Sequence, residues 1–108
     1  QFKTDKSYKI LEQILKISEN NPSEVLKYSK EGMLLFPAQP YVYLMKAKAL
    51  NYQKGYKNAL TTLESGIDFV IEDKMEADFY SEMAKAHKGL GNTKEAQKYQ
   101  QKAAKLKS

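Results

Sequence analysis

The chain repeats itself at an interval that a stack of helical pairs satisfies. A shift of 37 residues lays Tyr43 on Tyr80, Ala47 on Ala84, Leu50 on His87, Ala59 on Ala96 and Gly66 on Ala103. A shift of 34 lays Val25 on Ala59, Leu26 on Leu60 and Gly32 on Gly66. Units of this length with two helices each point to a solenoid of helical hairpins. One hairpin alone leaves an apolar face open, so stacking is what buries the core. We therefore expect an all-α chain of six helices in three helix-turn-helix hairpins. They would form a single domain over residues 1–108, with repeats near 5–37, 40–71 and 74–108.

The breakers fall where such hairpins need them. The first helix is expected from Asp5 to Glu19, with Ile10, Leu11, Ile14, Leu15 and Ile17 as its apolar stripe. Asn21-Pro22-Ser23-Glu24 supplies an N-cap, a Pro at the first helical position and an acid three residues after the cap. The second helix carries Val25, Leu26, Tyr28, Met33 and Leu34 and ends before Pro37. The third begins at Pro40 and turns Tyr43, Leu44, Ala47 and Leu50 inward, and Gly55 marks the turn after it. The fourth runs from Tyr56 to Val70 on Ala59, Leu60, Leu63 and Ile67. Glu72-Asp73-Lys74 reads as a polar connection. The fifth carries Phe79, Tyr80, Met83, Ala84 and His87, and Gly89 and Gly91 end it. The last, after Asn92-Thr93-Lys94-Glu95, carries Ala96, Tyr99, Ala103 and Leu106.

Composition removes several kinds of chemistry. The chain has no Cys and one His, His87, so thiolate metal sites and multi-His sites within one chain are excluded. Neither a cofactor nor a metal is expected. No apolar run is long enough to span a bilayer. All eighteen basic residues are Lys, and without Arg the planar fork that reads bases and clamps phosphates is missing. Nucleic-acid binding is therefore a lesser reading, confined to a non-specific contact by Lys94, Lys98, Lys102, Lys105 and Lys107. Charge is also blocked along the chain. Residues 64–82 hold seven acids and one Lys, and residues 83–108 hold seven Lys and one acid. Pairing of these blocks between chains would make a structural spacer or self-associating segment, the main alternative to partner binding.

Taken together, the residues resemble the tetratricopeptide repeat (TPR) family. The middle unit reads Tyr43, Lys46-Ala47, Leu50, Ala59, Leu63 and Gly66. The last reads Tyr80, Met83-Ala84, His87, Ala96, Gln100 and Ala103, and the first keeps Val25, Gly32 and the closing Pro37. Lys88-Gly89-Leu90-Gly91-Asn92-Thr93-Lys94-Glu95-Ala96 resembles that family's turn into its second helix. The resemblance covers essentially the whole chain and implies a right-handed α-solenoid that binds protein segments. Phe79-Tyr80-Ser81 is similar to repeat proteins of Bacteroidetes, and cytoplasmic and periplasmic settings both stay open. Two departures stand out: Gln13 and Lys16 fall near the first unit's signature places, and the connection from Ile71 to Ala77 is long. With Gln1 as the first residue, they lead us to expect a piece of a longer array.

Where such helices stack, the first helix of each pair lines a groove. Facing away from Tyr43, Ala47 and Leu50 places Tyr41, Leu44, Met45, Lys48, Asn51 and Tyr52 there in the middle pair, with Leu44 counted on both faces. The last pair would add Asp78, Ser81, Glu82, Lys85 and Lys88, and the first pair Lys9, Ile10, Gln13 and Lys16. One branch of the family clamps a partner's C-terminal carboxylate with Lys and Asn. Here Met45, Asp78 and Glu82 occupy those places, and two acids would repel a carboxylate, so that activity is not expected. His87 takes the place of Leu50 and reads as a packing residue. Ser81, Glu82 and Lys85 share one helical turn, and we read them as surface pairing rather than acid–base machinery. The expectation is a non-enzymatic module for a protein or peptide partner, with no small-molecule substrate.

Overall fold

The structure, a computed structural model, describes the backbone of residues 4–107 and the side chains of residues 8–107. Residues 1–3 and 108, included in the expected domain, lie outside the described residues. Among the described residues the chain forms six α-helices and no strand. They are α1 (Thr4–Ile17), α2 (Pro22–Leu35), α3 (Pro40–Tyr52), α4 (Tyr56–Gly66), α5 (Asp73–Gly89) and α6 (Thr93–Lys107). A short 3-10 turn, Ile67–Phe69, follows α4. Consecutive helices pack on each other, and α3 also packs on α1 and α5.

Local chemistry sets most boundaries. Asn21 caps α2 by accepting the Glu24 N–H at 3.3 Å, with Pro22 at the first helical position. Three expectations need correction. Helix α1 stops at Ile17 rather than Glu19, and Ser18 donates to the Glu24 carboxylate instead. Helix α4 stops at Gly66, where its last turn tightens into the 3-10 form. Helix α5 starts at Asp73, so Asp73 and Lys74 belong to the helix and the connection is shorter than expected. Acids at Asp73 and Glu76 suit the positive end of the helix dipole. After α3 the left-handed residue is Lys54, with φ 66°, while Gly55 opens α4 with an ordinary φ of −85°.

The core is two clusters that meet on α3. One holds Tyr43, Leu44, Ala47, Ala59, Leu63, Phe79, Met83 and Ala86. The other holds Leu11, Leu15, Val25, Phe36, Val42, Met45 and Ala49. Met33 packs against both. Large side chains such as Phe79 and Leu63, fully enclosed, are each worth roughly 1.5–3 kcal/mol. The expected stripes of the first hairpin are narrower in fact. Ile10, Ile17 and Leu34 are exposed, on faces of α1 and α2 that no described helix covers. Positions related by the 37-residue shift agree: Ala47 and Ala84, Ala59 and Ala96, and Gly66 and Ala103 are all buried.

Tyr43 ties α3 to its surroundings. Its hydroxyl donates to the Pro37 carbonyl at 2.6 Å, and its ring meets Phe69 at 5.9 Å. Its ring root lies so close to α4 that a Cβ on Gly66 would stand 2.5 Å from Tyr43 Cβ and Cγ. A Cβ on Gly32 would meet the Leu11 tip at 2.6 Å, an end that can turn away, and Val42 Cγ1 at 3.2 Å, a contact that a few tenths of an ångström relieve. Gly66→Ala should therefore cost about 1–3 kcal/mol. Gly32→Ala should cost distinctly less, since Leu11 can turn aside and Gly32 lies inside α2, where alanine regains up to about 1 kcal/mol of helix propensity, whereas Gly66 only ends α4. Urea denaturation of the two variants checks this, and equal losses would contradict a rigid contact at Tyr43.

A second consequence is alkaline. Tyr8 packs edge-on against Phe36, and burial, then Glu12, then Tyr41 push its hydroxyl up to about 12. An unfolded tyrosine ionises near 10.0, so the unfolded chain loses this proton first. Stability is whole below that value and is lost as pH climbs toward the folded one. Tyr8→Phe should make the alkaline loss of stability shallower, as read from melting temperature against pH. An unchanged profile would show that this hydroxyl contributes nothing.

Candidate functional site

An open groove of about 760 Å³ runs along α3 and the end of α5, beside the α1–α2 turn and the start of α2. From α3 it takes Met45, Lys48, Ala49, Asn51 and Tyr52, and from α5 Glu82, Lys85, Lys88 and Gly89. A third side is closed by Glu19 and Asn20 of the α1–α2 turn with Pro22 and Val25 of α2, and Tyr56 stands at the start of α4. Of the residues expected in the groove, Met45, Lys48, Asn51, Tyr52, Glu82, Lys85 and Lys88 therefore meet in one place.

Tyr41, Leu44, Asp78 and Ser81 do not line it. Leu44 is only 3% exposed and packs in the core cluster with Phe79 and Met83. The cause is the packing of α3 on α5, which covers the face that one hairpin alone would leave open. Tyr41 packs half-buried on the cluster of Leu11 and Leu15. Its hydroxyl is pushed above the usual tyrosine range by burial first, then by Glu12 and Glu19. Asp78 is half-buried outside the groove. Ser81 opens instead on a smaller hollow of about 390 Å³ between α5 and α6, with Ala84, Gln100 and Ala103 among its neighbours. Lys9, Ile10, Gln13 and Lys16 are exposed but lie outside the groove, to which the first pair contributes its turn.

A hydrogen-bonded tie forms the base. Asn51 Nδ2 donates to the Glu82 carbonyl and to Glu82 Oε1, each at 3.0 Å. Lys85 Nζ donates to Glu82 Oε2 at 3.1 Å. The Glu82 side chain is 5% exposed and that of Lys85 66%, so the carboxylate sits inside and its cation at the rim. Part of the acidic block read from the sequence is thus spent within the chain. Asn51 Oδ1 is buried and has no partner. Turning the amide over would set that oxygen against two others, so the observed direction is the favourable one.

The α1–α2 turn, Pro22, Val25 and Tyr56 lie off the first helices and escape a pattern read from those helices alone, and Ala49 and Gly89 lie on first helices but escape it as small residues. Their signal lies in pairs distant in sequence: a Cβ on Gly89 would collide with the Tyr56 ring. His87 stacks on Tyr99 at 5.6 Å with an interplanar angle of 2°, and its Nδ1 lies 3.3 Å from Asn92 Nδ2. It is a packing residue and is not itself part of the groove lining. Among the described residues no group of three or more His, Cys, Asp and Glu is placed to hold a metal ion. None of the described helices is long and apolar enough to cross a membrane.

Comparison of the chain with protein families, curated proteins and solved structures finds no match. The chemistry of the site therefore rests on its own geometry. The groove offers an apolar floor, ammonium groups on two helices, an exposed tyrosine and a carboxamide held rigidly across α3 and α5. That set can bind and orient a ligand.

The tie also gives a test. Asn51→Asp would place a carboxylate against the Glu82 carbonyl and carboxylate. It should cost at least about 2 kcal/mol at neutral pH. The deficit should shrink as pH falls and the new carboxyl takes up a proton. Thermal melts of variant and parent at neutral and acid pH decide, and a pH-independent deficit would mean the two side chains do not meet.

Proposed function

We propose that the chain is a TPR-like stack of three helical hairpins, with units near 5–37, 40–71 and 74–108. In this reading it holds a protein or peptide segment in its groove and performs no chemistry on it. The observation that carries the reading is the groove itself, to which all three hairpins contribute and in which Met45, Lys48, Asn51, Tyr52, Glu82, Lys85 and Lys88, chosen from the repeat pattern, come together. The recurring small residues support it too. Ala47, Ala59, Ala84 and Ala96 are buried at equivalent places, as close approach of neighbouring helices demands. Within the groove Asn51, Glu82 and Lys85 engage one another, an arrangement suited to rigid presentation rather than proton transfer.

Lys48 and Tyr52 are the residues to change. Both are exposed, Tyr52 at 78%, so their loss leaves the core intact. Leu44 would be a poor probe, because its side chain belongs to the core. Lys48→Glu with Tyr52→Ala should melt within a few degrees of the parent. It should lose at least about tenfold in affinity for a partner captured from source-cell lysate by the parent chain. Equal capture by parent and variant would place binding elsewhere and remove this reading.

A further inference from the structure

Asn51 states what a ligand of this groove should carry. It is 8% exposed, both protons of its amide are committed to Glu82, and its Oδ1 is left without a donor. A buried acceptor in that condition destabilises the empty groove, and an entering N–H restores the lost bond. The oxygen itself is covered, so an entering N–H reaches it only after the atoms that cover it shift.

The rim adds a charge requirement. Lys85 is engaged with Glu82, whereas Lys48 and Lys88 are exposed and have no ion pair among the described residues. Against them stands one rim carboxylate without an ion pair, Glu19. Anions alone would satisfy the lysines and leave Asn51 empty. A basic ligand would satisfy Asn51 and Glu19 but face two ammonium groups. A polypeptide with acidic side chains supplies both needs at once. The volume of about 760 Å³ suits a few residues of extended chain, with Val25, Met45 and Ala49 as apolar floor.

We propose that the groove takes an internal, extended, acidic peptide segment, with one main-chain N–H on Asn51 Oδ1 and carboxylates on Lys48 and Lys88. This rests on the peptide-groove reading above and names the class of peptide. Neither contact uses a chain terminus, so blocked ends leave recognition unchanged.

The test uses the whole chain, labelled with nitrogen-15, and three peptides acetylated and amidated at their ends. They alternate Val with Glu, with Gln or with Lys. The Glu peptide should shift the Asn51 side-chain amide signals and bind about three- to tenfold more tightly than the Gln peptide, the worth of two exposed ion pairs. Lys48→Gln with Lys88→Gln should abolish that preference without altering the melting temperature. A Glu peptide N-methylated along its backbone should bind more weakly, and equal binding would overturn the Asn51 contact. If the Gln or Lys peptide shifts the same signals as strongly as the Glu peptide, the acidic class is wrong and the groove reading stands. If the Glu peptide shifts only signals of α6, charge alone attracts it and the proposal fails. If no peptide moves a groove signal, both readings fall together.

Discussion

Helix α3 has to satisfy α1, α2, α4 and α5 at once, and the rest of the molecule follows from how it does so. Val42, Met45 and Ala49 turn toward the first hairpin, while Tyr43, Leu44 and Ala47 turn toward the others. A helix apolar on nearly every side belongs in the middle of a core, and here the two clusters are joined through it. Small residues make the arrangement possible. Ala47 and Ala49 keep the helix thin, and Gly66 lets α4 rest on the root of the Tyr43 side chain. With so many partners fixed, few positions on α3 remain free to meet a ligand. The exposed ones in the groove are Lys48 and Tyr52, beside the buried Met45, Ala49 and Asn51 that line its floor.

The same packing explains why the groove is polar at its base. Where α3 and α5 approach, Asn51 and Glu82 replace apolar contact with a directional tie. Such a bond fixes the register of the two helices more sharply than side-chain packing does, because its donors accept little misalignment. Burying Glu82 is tolerable only because Asn51 and Lys85 supply donors to its two oxygens. The site and the fold therefore share residues, and changes at Asn51 act on both.

Much of this was legible in the sequence. The repeat interval announced six helices, and Asn21-Pro22 and Gly89 placed their ends to within a few residues. Asn51, Tyr52, Lys48, Glu82 and Lys85 were assigned to one face from helical geometry, and they do meet. What escaped depends on contacts between hairpins. A single helix cannot reveal that α5 would cover Leu44, or that Tyr41 would pack on the cluster shared by α1, α2 and α3. Ile10, Ile17 and Leu34 matched the stripe pattern yet are exposed, since a stripe is filled only where a neighbour exists. Tyr56 against Gly89 joins residues far apart in the chain, a pairing no local pattern encodes.

Native-state hydrogen exchange of the whole chain tests most directly whether α3 is what holds the core together. The account requires the central amides of α3, Tyr43 to Ala49, to exchange only through global unfolding, with those of α1 exchanging through smaller, earlier openings. Helix α1 has fewer neighbours and leaves Ile10 and Ile17 uncovered, which is why it should open first. Amides of α3 exchanging as readily as those of α1 would contradict the account, because the two clusters would then not depend on a common helix.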